Sequence, residues 1–200
     1  MKTPEIALAV GPVVQAFEEL GVAYSLCGSL ASCAYGIARS TLDADLVADM
    51  RAEHARGLVQ MLKAAYYVDE AMILDAIRRQ SHFNLIHLET MIKVDVFLLK
   101  DTPYDREAFG RRRRDTLADA HGSLGVYVHA PEDVALHKLG WFRAGGRVSQ
   151  RQWDDVLGVL RVQAGRLDME YLQRWAGQLG LRELLQQALR EAALIQRPHA

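Results

Sequence analysis

The stretch GSLASCAYGIARSTLDADL, residues 28–46, decides the fold of this chain. It follows residues 22–27, an apolar run of strand length. Gly28 allows the backbone to turn sharply out of that strand, and Ser29 begins a short helix. The stretch then runs into a second predicted strand, residues 43–48. The pattern therefore predicts a strand, a tight turn, a helix and a strand in succession.

The turn at Gly28 and Ser29 is typical of a phosphate-binding site. Unpaired N–H groups and the positive end of the helix dipole can receive a triphosphate, and the Ser29 hydroxyl would add one donor. Taken alone, the same serine is explained equally well as a helix N-cap. The turn indicates a phosphate site only in combination with the carboxylates that follow it in the sequence.

Three aspartates lie on predicted strands. Asp43 and Asp45 are two residues apart, so both side chains leave the same face and can share one or two divalent cations. Asp95 lies within a strongly β-forming run, where an unpaired carboxylate is costly to bury. A metal ion shared by all three removes that cost. The alternatives are a solvated strand edge for the first two and a pair with Lys93 or an arginine for Asp95.

The ordered set resembles the nucleotidyltransferase superfamily that shares the DNA polymerase beta palm. That family combines Gly-Ser, about a dozen residues, Asp-x-Asp and a later strand aspartate. Within it, the chain looks most like the AbiEii-type toxin nucleotidyltransferases, through residues 39–46 and 130–139. The resemblance covers roughly residues 22–160. It implies an enzyme that uses Mg²⁺ or Mn²⁺ and a nucleoside triphosphate, with Asp43, Asp45 and Asp95 as metal ligands and catalytic residues.

The resemblance also implies a nucleotide-binding set. Its members are Gly28, Ser29, Arg39, Thr41 and Lys138.

Lys138 lies in a predicted helix that begins near Pro131. At 100° per residue it falls inside the apolar arc of that helix, so its ammonium needs an anion. The lysine could instead extend along the arc to solvent or to a structural carboxylate. AbiEii-type enzymes have an essential lysine in a similar helix, which implies a catalytic role for Lys138 near the triphosphate.

The next predicted helix begins near Ser149, and similar helices in AbiEii-like enzymes carry an acidic motif. Asp155 matches that motif best and is expected to be catalytic. The chain departs from the family at Gly158, where a second acidic residue is expected. Asp154 and Asp155 could therefore also be solvated surface charges.

The remaining pattern predicts an α+β fold. We expect a nucleotidyltransferase-like mixed or antiparallel sheet with flanking helices in residues 1–129, followed by a C-terminal helical region, residues 130–200, packed on it. The predicted elements include a first helix that stops at Gly21 and a hairpin over residues 83–99. Further elements are an edge strand at Val126 to Val128 and helices that begin near Pro131, Ser149, Asp168 and Arg182.

Composition limits the class of partner. The formal net charge is -1, so no global field draws the protein onto nucleic acid or an anionic membrane. Arg111 to Arg114 is the one dense basic run, which we interpret as an exposed loop in preference to a binding strip, although it could also hold phosphates of an RNA acceptor or of the nucleotide. The two cysteines suit reduced thiols and a cytoplasmic protein. No apolar stretch is long enough to span a membrane, and His121, His129 and His137 do not form a zinc pattern.

The expected reaction is transfer of a nucleoside monophosphate to an acceptor hydroxyl. The acceptor could be an RNA end such as transfer RNA, a protein side chain or a small molecule. The resemblance also allows a toxin with an antitoxin partner. The alternative is an inactive nucleotidyltransferase fold that binds a nucleotide or a protein, which the glycine at 158 favours. A helix-turn-helix in the tail is opposed by its acidic residues.

Overall fold

The computed structural model describes residues 3–37, 43–118 and 123–193. Across these residues it contains nine helices and a seven-stranded sheet. The predicted α+β class and mixed sheet are therefore confirmed. The chain divides into two compact units, one of residues 1–27 and 40–128 and the other of residues 28–39 and 129–200. The predicted domain boundary between residues 129 and 130 stays a prediction.

The elements are numbered in chain order. The helices are α1 (Thr3–Glu19), α2 (Gly28–Tyr35), α3 (Ala52–Leu62), α4 (Glu70–Arg79), α5 (Pro103–Gly110), α6 (Pro131–Ala144), α7 (Gln150–Val162), α8 (Met169–Gln178) and α9 (Arg182–Glu191). The strands are β1 (Tyr24–Cys27), β2 (Asp43–Ala48), β3 (Tyr66–Tyr67), β4 (His82–His87), β5 (Lys93–Leu98), β6 (Arg113–Ala118) and β7 (Ser123–Val128).

The sheet of the first unit has the strand order β3-β4-β5-β2-β1-β7-β6. Strands β2 and β5 run parallel, as do β1 and β7, and the other neighbours are antiparallel. Residues alternate along β2 and β4 between buried and more exposed positions, because successive side chains leave opposite faces of a strand. One face of the sheet is thus a core face and the other is available for polar side chains.

Helix α1 packs on the core face. Its residues Val10, Val13, Val14 and Phe17 are fully buried, and the helix contacts β2, β5, β6 and β7. The Tyr66 hydroxyl donates a hydrogen bond to the Ala9 carbonyl at 2.9 Å and so ties the edge strand β3 to the same helix. Burial of this apolar face is the main stabilising contribution in the first unit.

The second unit consists of α2 and the helices α6 to α9. Buried polar contacts join its helices in addition to apolar packing. The Tyr171 hydroxyl donates to Asp133 at 2.6 Å, and Glu132 accepts a hydrogen bond from the backbone N–H of Asp168 at 2.9 Å. Both acids lie in the first turn of α6, where the helix dipole favours negative charge. They therefore fix α8 to the start of α6.

Two helices were missed and one interpretation needs correction. Helices α4 and α5 were not predicted, and each is short and begins at a side-chain cap. Asp69 accepts from the Met72 N–H at the start of α4, and Thr102 accepts from Asp105 N–H at the start of α5. The arginine run is not simply an exposed loop, since Arg113 and Arg114 begin the edge strand β6, where pairing with β7 extends the sheet.

No helix among the described residues has the length and apolar character needed to cross a membrane.

Candidate active site

Asp45 and Asp95 are register partners on the adjacent parallel strands β2 and β5. Asp43 and Lys93 form the corresponding pair two residues earlier. Because side chains alternate along a strand and register partners share a face, all four side chains leave the same face of the sheet. The structure therefore places the three aspartates that the sequence analysis selected on one face of the sheet.

The exposure of the three carboxylates differs in a graded way. Asp43 at the start of β2 is exposed, Asp45 is half-buried and Asp95 is only 8% exposed. Asp95 lies on β5, an interior strand between β2 and β4. Its register partner on β4 is Asn84, a polar residue on the same face. The three carboxylates and the Asn84 amide therefore provide mainly oxygen ligands, at positions that range from exposed to buried.

Lys93 contacts the most buried of these carboxylates. Its Nζ lies 2.7 Å from Asp95 Oδ2, and its side chain is 44% exposed. The hydrogen bond to Asp95 raises the pKa of Lys93, and the charges of Asp43 and Asp45 raise it further, whereas partial burial opposes the shift. One of the alternatives foreseen for Asp95, a pair with Lys93, is thus present.

The three aspartates suit a hard divalent cation by chemistry, since Mg²⁺ and Mn²⁺ prefer carboxylate oxygens. Within the described part of the chain, no group of three or more His, Cys, Asp or Glu side chains is arranged to hold a metal ion. The Lys93 ammonium provides positive charge at Asp95 in the present arrangement. The carboxylates thus fit such an ion by their chemistry but are not arranged around one position, and the Lys93 ammonium lies at the most buried of them.

The predicted phosphate turn directly follows strand β1 in the sequence. Cys27, the last residue of β1, is the register partner of Asp45, and Gly28 is the next residue. Gly28 has φ of 57°, a conformation that side chains with a Cβ rarely adopt, and this explains the glycine. Helix α2 begins there, with Ser29 half-buried in its first turn. The turn thus has the geometry of a helix N-terminus that begins at the end of a strand.

Two members of the predicted nucleotide-binding set, Arg39 and Thr41, lie outside the described residues.

Lys138 and Asp155 form a buried ion pair within the second unit. Lys138 Nζ lies 2.8 Å from Asp155 Oδ2, and the two side chains are 2% and 6% exposed. The Lys138 ammonium also lies 5.6 Å from the ring centroid of Trp141, within range of a cation–π contact. The structure thus joins the two residues predicted on α6 and α7, and their catalytic roles stay predictions.

Gly158, where an acidic residue was expected, lies at a close approach between the end of α2 and helix α7. A Cβ at this position would be 3.3 Å from the backbone N of Ile37. At Gly36 a Cβ would be 3.0 Å from the backbone N of Val159. A side chain at Gly158 would require the facing backbone to move. The missing carboxylate therefore has a packing explanation in this chain.

Sequence reasoning did not assign functions to Asn84 or Lys93. Asn84 carries no recognisable signal, because its position depends on the pairing of β4 with β5. The Lys-x-Asp spacing of Lys93 and Asp95 does carry one, since residues two apart on a strand share a face. The partners of Glu132 and Asp133 on α8 could not be found from sequence, because they are 36 and 38 residues away.

The chain shares its fold with the antibiotic-resistance factor ANT(2'')-Ia. The likeness has a TM-score of 0.54 at 18% identity and covers 97% of this chain and 96% of that one. This confirms the predicted nucleotidyltransferase-like fold. Weaker likenesses include the lincosamide antibiotic adenylyltransferase LnuA with lincomycin bound, at a TM-score of 0.47 and 16% identity over 79% of this chain and 96% of that chain.

A further likeness is TM1012 of Thermotoga maritima, a protein assigned to the nucleotidyltransferases, at a TM-score of 0.48 and 15% identity over 75% of this chain and 92% of that chain. No protein-family model and no curated protein sequence matches the chain. The predicted closeness to AbiEii-type enzymes stays a prediction.

Proposed function

We propose that this chain is a metal-dependent nucleotidyltransferase that moves a nucleoside monophosphate from a nucleoside triphosphate to an acceptor hydroxyl. The observation that carries the proposal is that Asp43, Asp45 and Asp95 share one sheet face through the register of β2 and β5. The shared fold with ANT(2'')-Ia is consistent with it.

Asp43 and Asp45 would hold Mg²⁺ or Mn²⁺ together with Asp95, which lies deepest. When bound, the metal would lower the pKa of the acceptor hydroxyl and offset charge on the phosphates. Asp95 would also accept the hydroxyl proton, a role supported by the face that it shares with the two other aspartates.

The triphosphate is assigned to the turn that follows β1. The N–H groups of the first turn of α2 and the Ser29 hydroxyl are donors for phosphate oxygens, and Gly28 leaves room for close approach of the backbone. Arg39 and Thr41 belong to the same proposal on the basis of sequence alone. Nucleotide orientation by backbone donors contributes to rate mainly through positioning.

Lys138 is proposed to offset the charge that builds on the leaving pyrophosphate. Its ammonium is held by Asp155 at 2.8 Å, and burial of both side chains restricts their motion. In this role Asp155 is a positioning residue that orients Lys138. A buried pair is costly to form from solvated ions, so a catalytic use supplies a reason for its presence.

A small-molecule hydroxyl is the acceptor class that we favour. The net charge of -1 provides no general attraction for RNA, and ANT(2'')-Ia, whose fold the chain shares, is an antibiotic-resistance factor. Transfer RNA, a protein side chain and an antitoxin partner remain proposals based on the AbiEii resemblance. A cytoplasmic location fits the two cysteines, which form no disulfide.

The close packing at Gly158 also bears on the alternative of an inactive binding module. That alternative was favoured by the missing acidic residue, and the packing gives the glycine an independent reason. We therefore place the enzyme first.

The test is transfer of label from each α-labelled nucleoside triphosphate in the presence of Mg²⁺. Aminoglycosides and lincosamides, total transfer RNA and host lysate are supplied as separate acceptors. We expect wild type to label a small molecule and the double variant Asp43→Asn/Asp45→Asn to label nothing. Label on transfer RNA or on a protein would reject the small-molecule acceptor, and no label on any acceptor would reject the enzyme for these substrates.

A further inference from the structure

Lys93 is a basic residue on the three-aspartate face. It begins β5 two residues before Asp95, so the strand places both side chains on one face, and its Nζ lies 2.7 Å from Asp95 Oδ2. Its register partner on β2 is Asp43. An ammonium is therefore built into the carboxylate set proposed to receive a divalent cation.

The contact brings positive charge close to a metal ligand. Mg²⁺ and Mn²⁺ bind carboxylate oxygens at about 2.1 Å, which would leave the ion and the ammonium on the same small carboxyl group. Two cations at such a separation repel each other strongly, and both compete for the same oxygen lone pairs. Asp95 thus favours one cation at a time at Oδ2.

The Lys93 ammonium is also able to move away from Asp95. Its side chain is 44% exposed, and a lysine ammonium on a flexible four-carbon stem can be hydrated outside the site. Lys138 differs, because its pair with Asp155 is buried and solvent cannot replace the carboxylate there. The two lysines therefore have different properties although each contacts an aspartate.

We infer that Lys93 is an internal competitor for the divalent cation at Asp95 and so sets the metal affinity of the site. In the absence of metal, its ammonium offsets the repulsion among the three carboxylates. Metal binding displaces it towards solvent, and this displacement weakens the apparent affinity. The inference rests on the proposed metal site and adds a residue that limits its occupancy.

The test is Mn²⁺ binding to the full chain without nucleotide, followed through the electron paramagnetic resonance signal of free Mn²⁺. Wild type is compared with Lys93→Met, with Lys93→Gln as a second neutral variant, and with Lys93→Arg, which keeps the charge. Lys100→Met is the matched control, because Lys100 is an exposed lysine two residues after the end of β5. Thermal unfolding verifies that each variant is folded.

Removal of the competing charge is expected to tighten Mn²⁺ binding about tenfold in both neutral variants. Lys93→Arg and Lys100→Met are expected to bind like wild type. In the absence of metal, the neutral variants should also be less stable at low ionic strength than at high ionic strength. At low ionic strength, salt screens the repulsion among the three carboxylates less.

Equal or weaker Mn²⁺ binding by folded Lys93→Met and Lys93→Gln would overturn the inference. If wild type still bound Mn²⁺ and transferred label, the proposed function would stand and only the role of Lys93 would be rejected. If neither wild type nor the neutral variants bound Mn²⁺ at millimolar concentration, both the inference and the proposed metal site would be wrong. Tighter binding by Lys100→Met as well would show a general charge effect and would equally reject a specific role for Lys93.

Discussion

Asp45 and Asp95 occupy matching positions on the adjacent parallel strands β2 and β5, on one face of the sheet. Two carboxylates on neighbouring strands repel each other unless a cation lies nearby, and the repulsion increases as solvent is excluded. The Lys93 ammonium, 2.7 Å from Asp95 Oδ2, supplies positive charge at this pair. With three carboxylates and one ammonium the face keeps an excess of negative charge, and this is where we propose that a divalent cation binds.

Asp45→Asn is expected to lower nucleotidyl transfer about a thousandfold, because an amide is a much weaker ligand for a hard cation than a carboxylate. The fold should be kept, and the midpoint of thermal unfolding without metal should be unchanged or higher because one repulsive charge is lost. The assay is label transfer combined with thermal unfolding. Asp75→Asn is the control, since Asp75 lies on α4 and pairs with Arg78 and Arg79. Full activity of Asp45→Asn would remove Asp45 from the site.

Lys138 and Asp155 are expected to be strongly coupled in stability. Lys138→Met alone and Asp155→Leu alone should each lower the free energy of unfolding by about 3 kcal/mol, because each removes the opposite charge of a buried ion pair. The double variant should lose much less than the sum of the two losses. Urea unfolding of the four proteins gives the coupling energy. Losses that simply add would show that the two charges do not depend on each other.

Gly36 is expected to tolerate no side chain. A Cβ there would lie 3.0 Å from the backbone N of Val159 and 3.1 Å from the backbone C of Gly158. Gly36→Ala should therefore lower the free energy of unfolding by about 1 to 3 kcal/mol through forced backbone shifts. Gly140→Ala in α6 is the matched control, because a Cβ meets nothing within 4 Å there. It should raise stability by about 0.5 to 1 kcal/mol through helix propensity. Chemical unfolding measures both, and a neutral Gly36→Ala would contradict the close packing.

Glu191 is expected to make a small, pH-dependent contribution to the free energy of unfolding. Hydrogen bonds from Gln187 and from the Trp153 indole, together with Arg161 and Arg190, lower the pKa of this carboxyl below its ordinary 4.5. A depressed pKa in the folded state means stability that is present above pH 4.5 and is lost as the pH falls through the folded value.

Wild type should therefore lose more stability than Glu191→Gln between pH 6 and pH 3. The difference should be no more than about 0.5 kcal/mol, because Glu191 is exposed and solvent weakens its interactions. Urea unfolding at several pH values, followed by tryptophan fluorescence, measures it. An equal loss of stability on acidification in the two proteins would show that the contacts of Glu191 contribute nothing to stability.

The local elements of the site could be predicted from sequence because they depend on short-range rules. The turn at Gly28 follows from glycine at positive φ, and the shared face of Asp43 and Asp45 follows from the period of two along a strand. The helix start at Pro131 was equally clear, because proline and the two acids after it suit a first turn.

The partners of these elements could not be predicted, because they depend on pairings that sequence does not fix. The match of Asp45 with Asp95 requires β2 and β5 to be parallel neighbours in one particular register. The pair of Lys138 with Asp155 spans 17 residues and two helices. The glycine at 158 indicated an incomplete motif, and only its distance to Ile37 shows that packing accounts for it.

The most direct measurement of the central claim uses two forms of the same nucleoside triphosphate, labelled at the α-phosphate or at the γ-phosphate. Each is incubated with wild type, Mg²⁺ and the acceptor identified in the screen. A nucleotidyltransferase places the α-label on the acceptor and releases the γ-label as pyrophosphate, and Asp43→Asn/Asp45→Asn does neither. A γ-label found on the acceptor or in orthophosphate, or activity that survives loss of both aspartates, would contradict the account.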